Sequence, residues 1–387
     1  MKTYMKRILR NFDFPLFFVY LLLCLFGLVA IYSASMVWAV SEYGYEPDHF
    51  YIGQLRNLAL AIPAFFLASL FPYQNYKRKG VMASALIVMF LFLFLVHVIG
   101  FGGDVGAQSW IALPIGNIQP SELAKLVIIV YFASVFAKKY EAGTIDNLNQ
   151  AIVPPVIILA IAVASIMTET DIGASIIIIA AALSVLAASG IKKQTFIKMI
   201  GIVSIALVPV VIGMYFAWDF IMTDSRKGRL LAYLNPFDYA LGSGFQVTNG
   251  YIAIGNGGLQ GLGLGNSVQK LGYLPEPHTD VIMAVISEEM GLIGAIIVIG
   301  GLGFIVMRAL WIALQARDPH ARMLAAGVGS LIGIQSFVNL GGLTGLIPLT
   351  GVTLPFISYG GTSIILLSLS LGILMNVSMF VKYEKNK

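Results

Sequence analysis

Five carboxylates, Glu122, Asp171, Asp280, Glu288 and Glu289, stand at the ends of long apolar runs or inside them. Ionisable groups at such positions are costly in a lipid environment and mark a functional site or its counter-ion. Asp280 is the strongest candidate, because LPEPHTD puts two prolines, a histidine and a threonine directly before a carboxylate that enters an apolar run. Thr279 alone would serve as a helix cap there. At about 100° per residue, Ser287 and Gly291 share the face of Asp280, while Glu288 lies about 80° away and about 12 Å deeper. Glu289 points to the opposite side and is expected to pair with another helix. His278 has the intrinsic pKa of an acid or base, but with no neighbouring Cys or His it is no metal-site signature. In IQPSELAKL, Pro120 and Ser121 form a helix start, and the spacing of Glu122 and Lys125 sets opposite charges on one face. They fit an ion pair or a substrate contact. Asp171 follows TET and opens another apolar run, where capping a helix N-terminus is a sufficient role for it.

The elements that must position these groups are membrane spans. The chain has 387 residues, 58% hydrophobic and only 11% charged, far from a soluble average of roughly a quarter charged. Its apolar residues come in runs of about 20, the length needed to cross roughly 30 Å of hydrocarbon as a helix. The dyad alternation of a transmembrane barrel is missing from stretches such as Ser175 to Ala188. The expected fold is therefore all-α and polytopic. Ten transmembrane helices are predicted near 14–34, 53–71, 81–100, 120–137, 150–167, 172–190, 199–217, 281–307, 323–343 and 357–380. The first is read as a retained anchor, being longer than a cleaved signal's apolar core. With both termini cytoplasmic, 18 of the 24 Lys and Arg fall on the inner side, as the positive-inside rule requires. The basic balance is thus topology, not a nucleic-acid surface. Residues 1–387 read as a single integral membrane domain, with one large outer loop, 218–279, between spans 7 and 8. Cys24, the one cysteine, lies in the first run, so no intramolecular disulfide forms.

That loop holds GNGGLQGLGLG at 255–265, a run with the look of a phosphate cradle. No strand precedes it and no Gly-Lys-Ser follows, so a flexible or tightly turning loop is the simpler expectation. Arg226, Lys227, Arg229 and Lys270, the basic residues of the outer loop, together suit an anionic group at the outer leaflet.

The blocks GAQSWIALPIGNIQPSELAKL, GSGFQVTNGYIAIGNGGLQGLGLGNSVQKLGYLPEPHTDVIMAVISEEMG and GLTGLIPLTGVTLPFISYGGTS, in this order between residues 106 and 363, resemble the signature blocks of the SEDS family of bacterial shape, elongation, division and sporulation proteins. The run GLGLGNSVQKLGYLPEPHTD is similar to the division and sporulation branches more than to the elongation branch. Val281-Ile282-Met283 departs from a commoner Phe-Ile-Phe type sequence, which bears on the branch and not on the chemistry.

The resemblance implies a multi-pass protein of the bacterial cytoplasmic membrane, a peptidoglycan glycosyltransferase that polymerises lipid II at the outer face. It implies a class B penicillin-binding protein as cross-linking partner, among other division or elongation membrane proteins. Asp280 would be the essential carboxylate, accepting the proton of the acceptor hydroxyl. Trp110, Gln246 and Ser358 fall inside the matching blocks, and with Glu122, Lys125, Asp171, Arg229, Lys270, His278, Thr279 and Glu288 they make up the expected substrate-binding set. Arg229, Lys125 or a divalent cation such as Mg2+ would offset the leaving group's charge, and no organic cofactor is expected. A flippase for the lipid-linked precursor is the competing reading, and a non-enzymatic division scaffold is a third. Transport needs polar groups reachable from both sides, whereas this chain crowds its intramembrane charges into the outer half.

Overall fold

The computed structural model describes residues 10–102, 108–113, 116–147, 152–169, 171–198, 201 and 224–386. Helix α1 (Phe14–Tyr43) carries Pro15 in its first turn and stops at Gly44, whose left-handed φ of 63° lets its N–H reach the last carbonyls. At about 1.5 Å per residue its 30 residues span about 45 Å, so it crosses the hydrocarbon and projects beyond it. It is followed by α2 (His49–Leu70), a short 3-10 turn (Tyr73–Lys77) and α3 (Lys79–Ile99). A two-stranded antiparallel hairpin, β1 (Ile111–Leu113) with β2 (Gly116–Ile118), then leads into α4 (Pro120–Glu141). The chain continues through α5 (Val153–Thr168), α6 (Ile172–Ala187), α7 (Asp224–Leu234) and α8 (Phe245–Gly257) to α9 (Ile282–Gln315), α10 (Pro319–Leu343) and α11 (Gly361–Lys385).

Seven of the described helices, α1 to α4 and α9 to α11, are long and apolar enough to cross a membrane. α5 and α6 are apolar but have 16 residues each, about 24 Å and short of a full crossing. Nine of the ten expected apolar runs thus coincide with helices, and of the expected span at 199–217 all but residue 201 lies outside the described residues. The fold is mostly helical, as expected, with one short addition: Phe101 and Trp110 exchange backbone hydrogen bonds ahead of the β1–β2 hairpin. Within 218–279, α7 and α8 form; α8 is bounded by Gly244 and Gly258.

Most of α4 and α11 is buried, and α10 packs against α4, α6, α9 and α11. These three form the interior, with α2 lying along α11 and α1 touching α2 and α9. α2, α3 and α9 turn Leu67, Ile87, Phe94, Ile293, Ile296 and Met307 outward, an apolar rim suited to lipid tails. At the end predicted to be cytoplasmic, the buried Asp13 carboxylate receives Arg308 of α9 at 2.9 Å, Lys382 of α11 at 3.3 Å and the Ser378 hydroxyl at 2.6 Å. This cluster ties the start of α1 to two other helices.

Candidate active site

Asp280 sits at the end of an irregular approach, just before the first residues of α9. The residue is only 9% exposed. Val281 occupies the N-cap position with no side-chain cap, so Asp280 is not there to cap the helix. Its Oδ1 accepts from the Thr279 hydroxyl at 3.1 Å and from Gln246 Nε2 of α8 at 3.4 Å. The main chain below it is held at three successive carbonyls. His278 O accepts from the Tyr359 N–H at 2.9 Å, Thr279 O from the Ser358 hydroxyl at 2.6 Å, and Asp280 O from Asn339 Nδ2 at 2.6 Å. Glu276 (φ 42°) and Phe356 (φ 64°), the described non-glycine residues with positive φ, lie on the two segments that meet here. Such backbone persists only where its surroundings over-determine it.

The His278 ring packs on Phe50, with centroids 4.0 Å apart, and against Tyr359. Burial pushes its pKa down to about 4, so the imidazole is neutral at pH 7. Its Nδ1 has no hydrogen-bond partner among the described residues.

Glu122 and Lys125 do form an ion pair, at 2.7 Å, and both are buried. The Lys125 ammonium also donates to Gln335 Oε1 of α10 at 2.9 Å. Asp171 caps α6 through the Ala174 N–H at 2.9 Å, and its other oxygen accepts from Gln119 at 3.1 Å and Ser121 at 3.2 Å. Capping and cross-linking to the start of α4 both fall to it. Trp110 is half-buried at the entry to the hairpin. Arg229 belongs to α7, and its side chain lies outside the described residues.

The glycine run has a packing role. At Gly291 the backbone of α9 breaks (φ 58°, ψ −143°), which frees carbonyls of the preceding turn. The run fills the gap: the N–H groups of Leu262 and Gly263 donate to Glu288 O and Glu289 O, and the Leu292 N–H donates to Leu259 O. A Cβ on Gly261 would stand 2.3 Å from Glu289 O, and one on Gly291 2.5 Å from the Gly261 nitrogen. Only backbone fits between them. Two carboxylates anchor the same loop. Glu288 accepts from the Ser267 hydroxyl, the Gln269 N–H and Asn256 of α8. Glu289 pairs with Lys270 at 2.7 Å and accepts from Ser33 of α1. Lys270, expected as a cation for an anionic substrate, is buried and engaged by Glu289, Ser33 and Gly265 O. Glu288 likewise anchors the loop, a role that a regular helical wheel does not reveal.

Several polar residues of this region escaped the sequence reading. Gln335 and Asn339, four apart in the apolar run IGIQSFVNLGG, are the plainest, and polar side chains in a span were the signal that pointed to them. Glu169 is another. It is buried with both carboxyl oxygens unpartnered among the described residues, and burial beside the Asp171 charge raises its pKa to about 8.

Among the described residues no group of three or more His, Cys, Asp or Glu could hold a metal. Mg2+ is commonly held by one or two carboxylates together with substrate phosphates and water, and Asp280 is a carboxylate that fits that role.

Comparison with known proteins adds the following. Residues 14–383 match the family model described as cell cycle protein, which covers FtsW, RodA and SpoVE. The probable peptidoglycan glycosyltransferase FtsW of Bacillus subtilis (strain 168) is 46% identical over 391 residues, 99% of this chain and 94% of the relative. The stage V sporulation protein E of the same organism is 34% identical over 372 residues, 96% and 98% of the two chains. Among solved structures, a chain of a peptidoglycan synthase complex that coordinates polymerization and crosslinking superposes with a TM-score of 0.73 at 24% identity, covering 96% of this chain and 98% of the other. The rod shape determining protein RodA of Thermus thermophilus gives 0.65 at 23% identity, with 95% and 96% covered.

Proposed function

The chain belongs to the FtsW, RodA and SpoVE family of cell cycle proteins, and from that premise we propose how its residues carry out the family's glycosyl transfer. It is a multi-pass protein of the cytoplasmic membrane and a peptidoglycan glycosyltransferase. The proposed donor is lipid II, a disaccharide-peptide on a polyprenyl pyrophosphate. Asp280 acts as general base: its carboxylate takes the proton of the acceptor sugar's 4-hydroxyl as that oxygen forms a bond to the donor's anomeric carbon, the configuration inverts, and the bond to the pyrophosphate breaks. Support comes from one observation above all, the carboxylate held by Thr279 and Gln246 over a backbone tied at three carbonyls. Preorganisation of this kind is what an oriented proton acceptor needs.

The leaving pyrophosphate needs cations. Lys125 and Lys270 are each neutralised by a buried carboxylate, so the basic residues of α7, Arg226, Lys227 and Arg229, are the proposed partners; a divalent cation such as Mg2+, held by Asp280, would supply further neutralising charge. Purified protein offered lipid II in detergent should produce glycan strands. Unchanged lipid II from folded protein, with and without Mg2+ and a cross-linking partner, would turn the reading toward a flippase or a scaffold. The neighbour in a peptidoglycan synthase complex favours a membrane-anchored crosslinking enzyme as partner, here proposed to be a class B penicillin-binding protein.

The proposed topology has ten spans, both termini cytoplasmic, and 218–279 outside with Asp280 at the outer leaflet. The placement of 18 of 24 basic residues on the inner side supports it. In a Cys24→Ser background, Ser243→Cys should react with a membrane-impermeant thiol reagent on intact cells and Gln315→Cys should not. Labelling of the Gln315 site alone would put Asp280 on the wrong side for this chemistry.

A further inference from the structure

Two amide side chains one turn apart on α10 join the two buried charge centres of the site. Asn339 Nδ2 donates to Asp280 O at 2.6 Å and to Val352 O at 2.7 Å. Gln335 Nε2 donates to the next carbonyl along, Thr353 O, at 3.1 Å, while its Oε1 receives the Lys125 ammonium at 2.9 Å. Both residues are buried, Gln335 fully and Asn339 at 2% exposed. The pair thus grips two consecutive carbonyls of the 344–360 connection and reaches outward from them, to the base of Asp280 on one side and to the Glu122–Lys125 pair on the other. The same connection ties the neighbouring Thr279 carbonyl through Ser358, whose hydroxyl in turn receives the Leu354 N–H at 2.9 Å.

Hydrophobic packing alone does not require this. An apolar pair at 335 and 339 would fill the same space without leaving buried amide groups to satisfy, and it would avoid the cost of Asn339 Oδ1, which has no partner among the described residues. Here each amide spends its donors on carbonyls that have no helical partner, in segments carrying the positive-φ residues Glu276 and Phe356. The arrangement holds an irregular backbone at a set height.

We propose that Asn339, seconded by Gln335, is a positioning residue for the glycosyl transfer: it sets the height of the Asp280 backbone against α10 and the 344–360 connection, and so the distance of the Asp280 carboxylate from the acceptor hydroxyl. The proposal rests on the reading of Asp280 as the base. It assigns to α10 a part in the rate of the chemical step and none in holding the substrate.

Displacing a reacting group by about 1 Å can cost about 10²-fold in rate. Asn339→Ala, assayed with lipid II well below its melting temperature, should therefore lose roughly ten- to a hundredfold in kcat, with KM within about threefold of the parent. The decisive measurement repeats it in Asp280→Glu, whose longer side chain already displaces the carboxylate: there Asn339→Ala should cost less than about threefold, since both changes act on one distance. A purely structural role gives equal fold-losses in the two backgrounds and overturns the proposal, as does an unchanged kcat or a loss confined to KM. Should Asn339→Ala fail to fold, Ser358→Ala removes the adjacent tie on Thr279 O and must show the same kcat-selective, background-dependent loss. A parent protein that polymerises lipid II while these variants behave additively removes this inference and leaves the glycosyltransferase reading standing; an inactive parent removes the latter.

Discussion

Asp280→Asn is expected to lower glycan-strand formation from lipid II by about 10²–10⁴-fold, the usual cost of removing a positioned general base. The change is close to isosteric, and the structure limits its side effects. An amide oxygen at the same place still accepts from Thr279 and Gln246, and the tie from Asn339 is to the main-chain carbonyl, which the substitution leaves alone. The melting temperature in detergent should accordingly stay near that of the parent, and a loss of turnover then reports chemistry and not folding. Asp280→Glu keeps a base but moves it by one methylene, so it should retain more activity than Asp280→Asn at equal expression. Near-normal turnover of purified Asp280→Asn would remove Asp280 from the role of base.

The apolar runs were legible in the sequence because hydrocarbon thickness imposes length and composition at once. Pro120 and Asp171 announced their helix starts by local chemistry, and the spacing of Glu122 and Lys125 put them on one helix face, open to pairing or to substrate contact. Asp280 stood out because a carboxylate after a rigid Pro-x-Pro segment has few structural excuses. What the sequence hides shares one origin, long-range closure. The pairing of Phe101 with Trp110, the contact of the glycine run with the break at Gly291, and the reach of Asn339 across 59 residues to Asp280 O are all set by tertiary geometry that no periodicity encodes. The partners of Lys270 are hidden in the sequence for the same reason. Its sequence neighbours are loop residues, yet its ammonium lies 2.7 Å from a carboxylate on α9 and 3.0 Å from a serine on α1.

That last contact carries the second large effect. Lys270 and Glu289 are 1% and 3% exposed, and removing one partner of a buried pair leaves an uncompensated charge at a cost of about 3–5 kcal/mol. Lys270→Met should therefore destabilise the protein by that order, strip the 258–270 loop from α9 and open it to proteolysis. Adding Glu289→Leu removes the stranded carboxylate, and most of the lost stability should return. The return is incomplete, because the Ser33 hydroxyl, which bonds both Glu289 oxygens at 2.7 and 2.8 Å, and the Ser267 N–H lose an acceptor. A lysine that instead served as an anion contact for the substrate would behave differently in every readout: Lys270→Met would melt like the parent, its KM for lipid II would rise, and Glu289→Leu would rescue nothing. Thermal melts of the two single variants and the double in detergent, run beside the KM measurement, separate the two cases. Preserved stability in Lys270→Met would show that the ion pair does not hold the loop and would return Lys270 to the substrate.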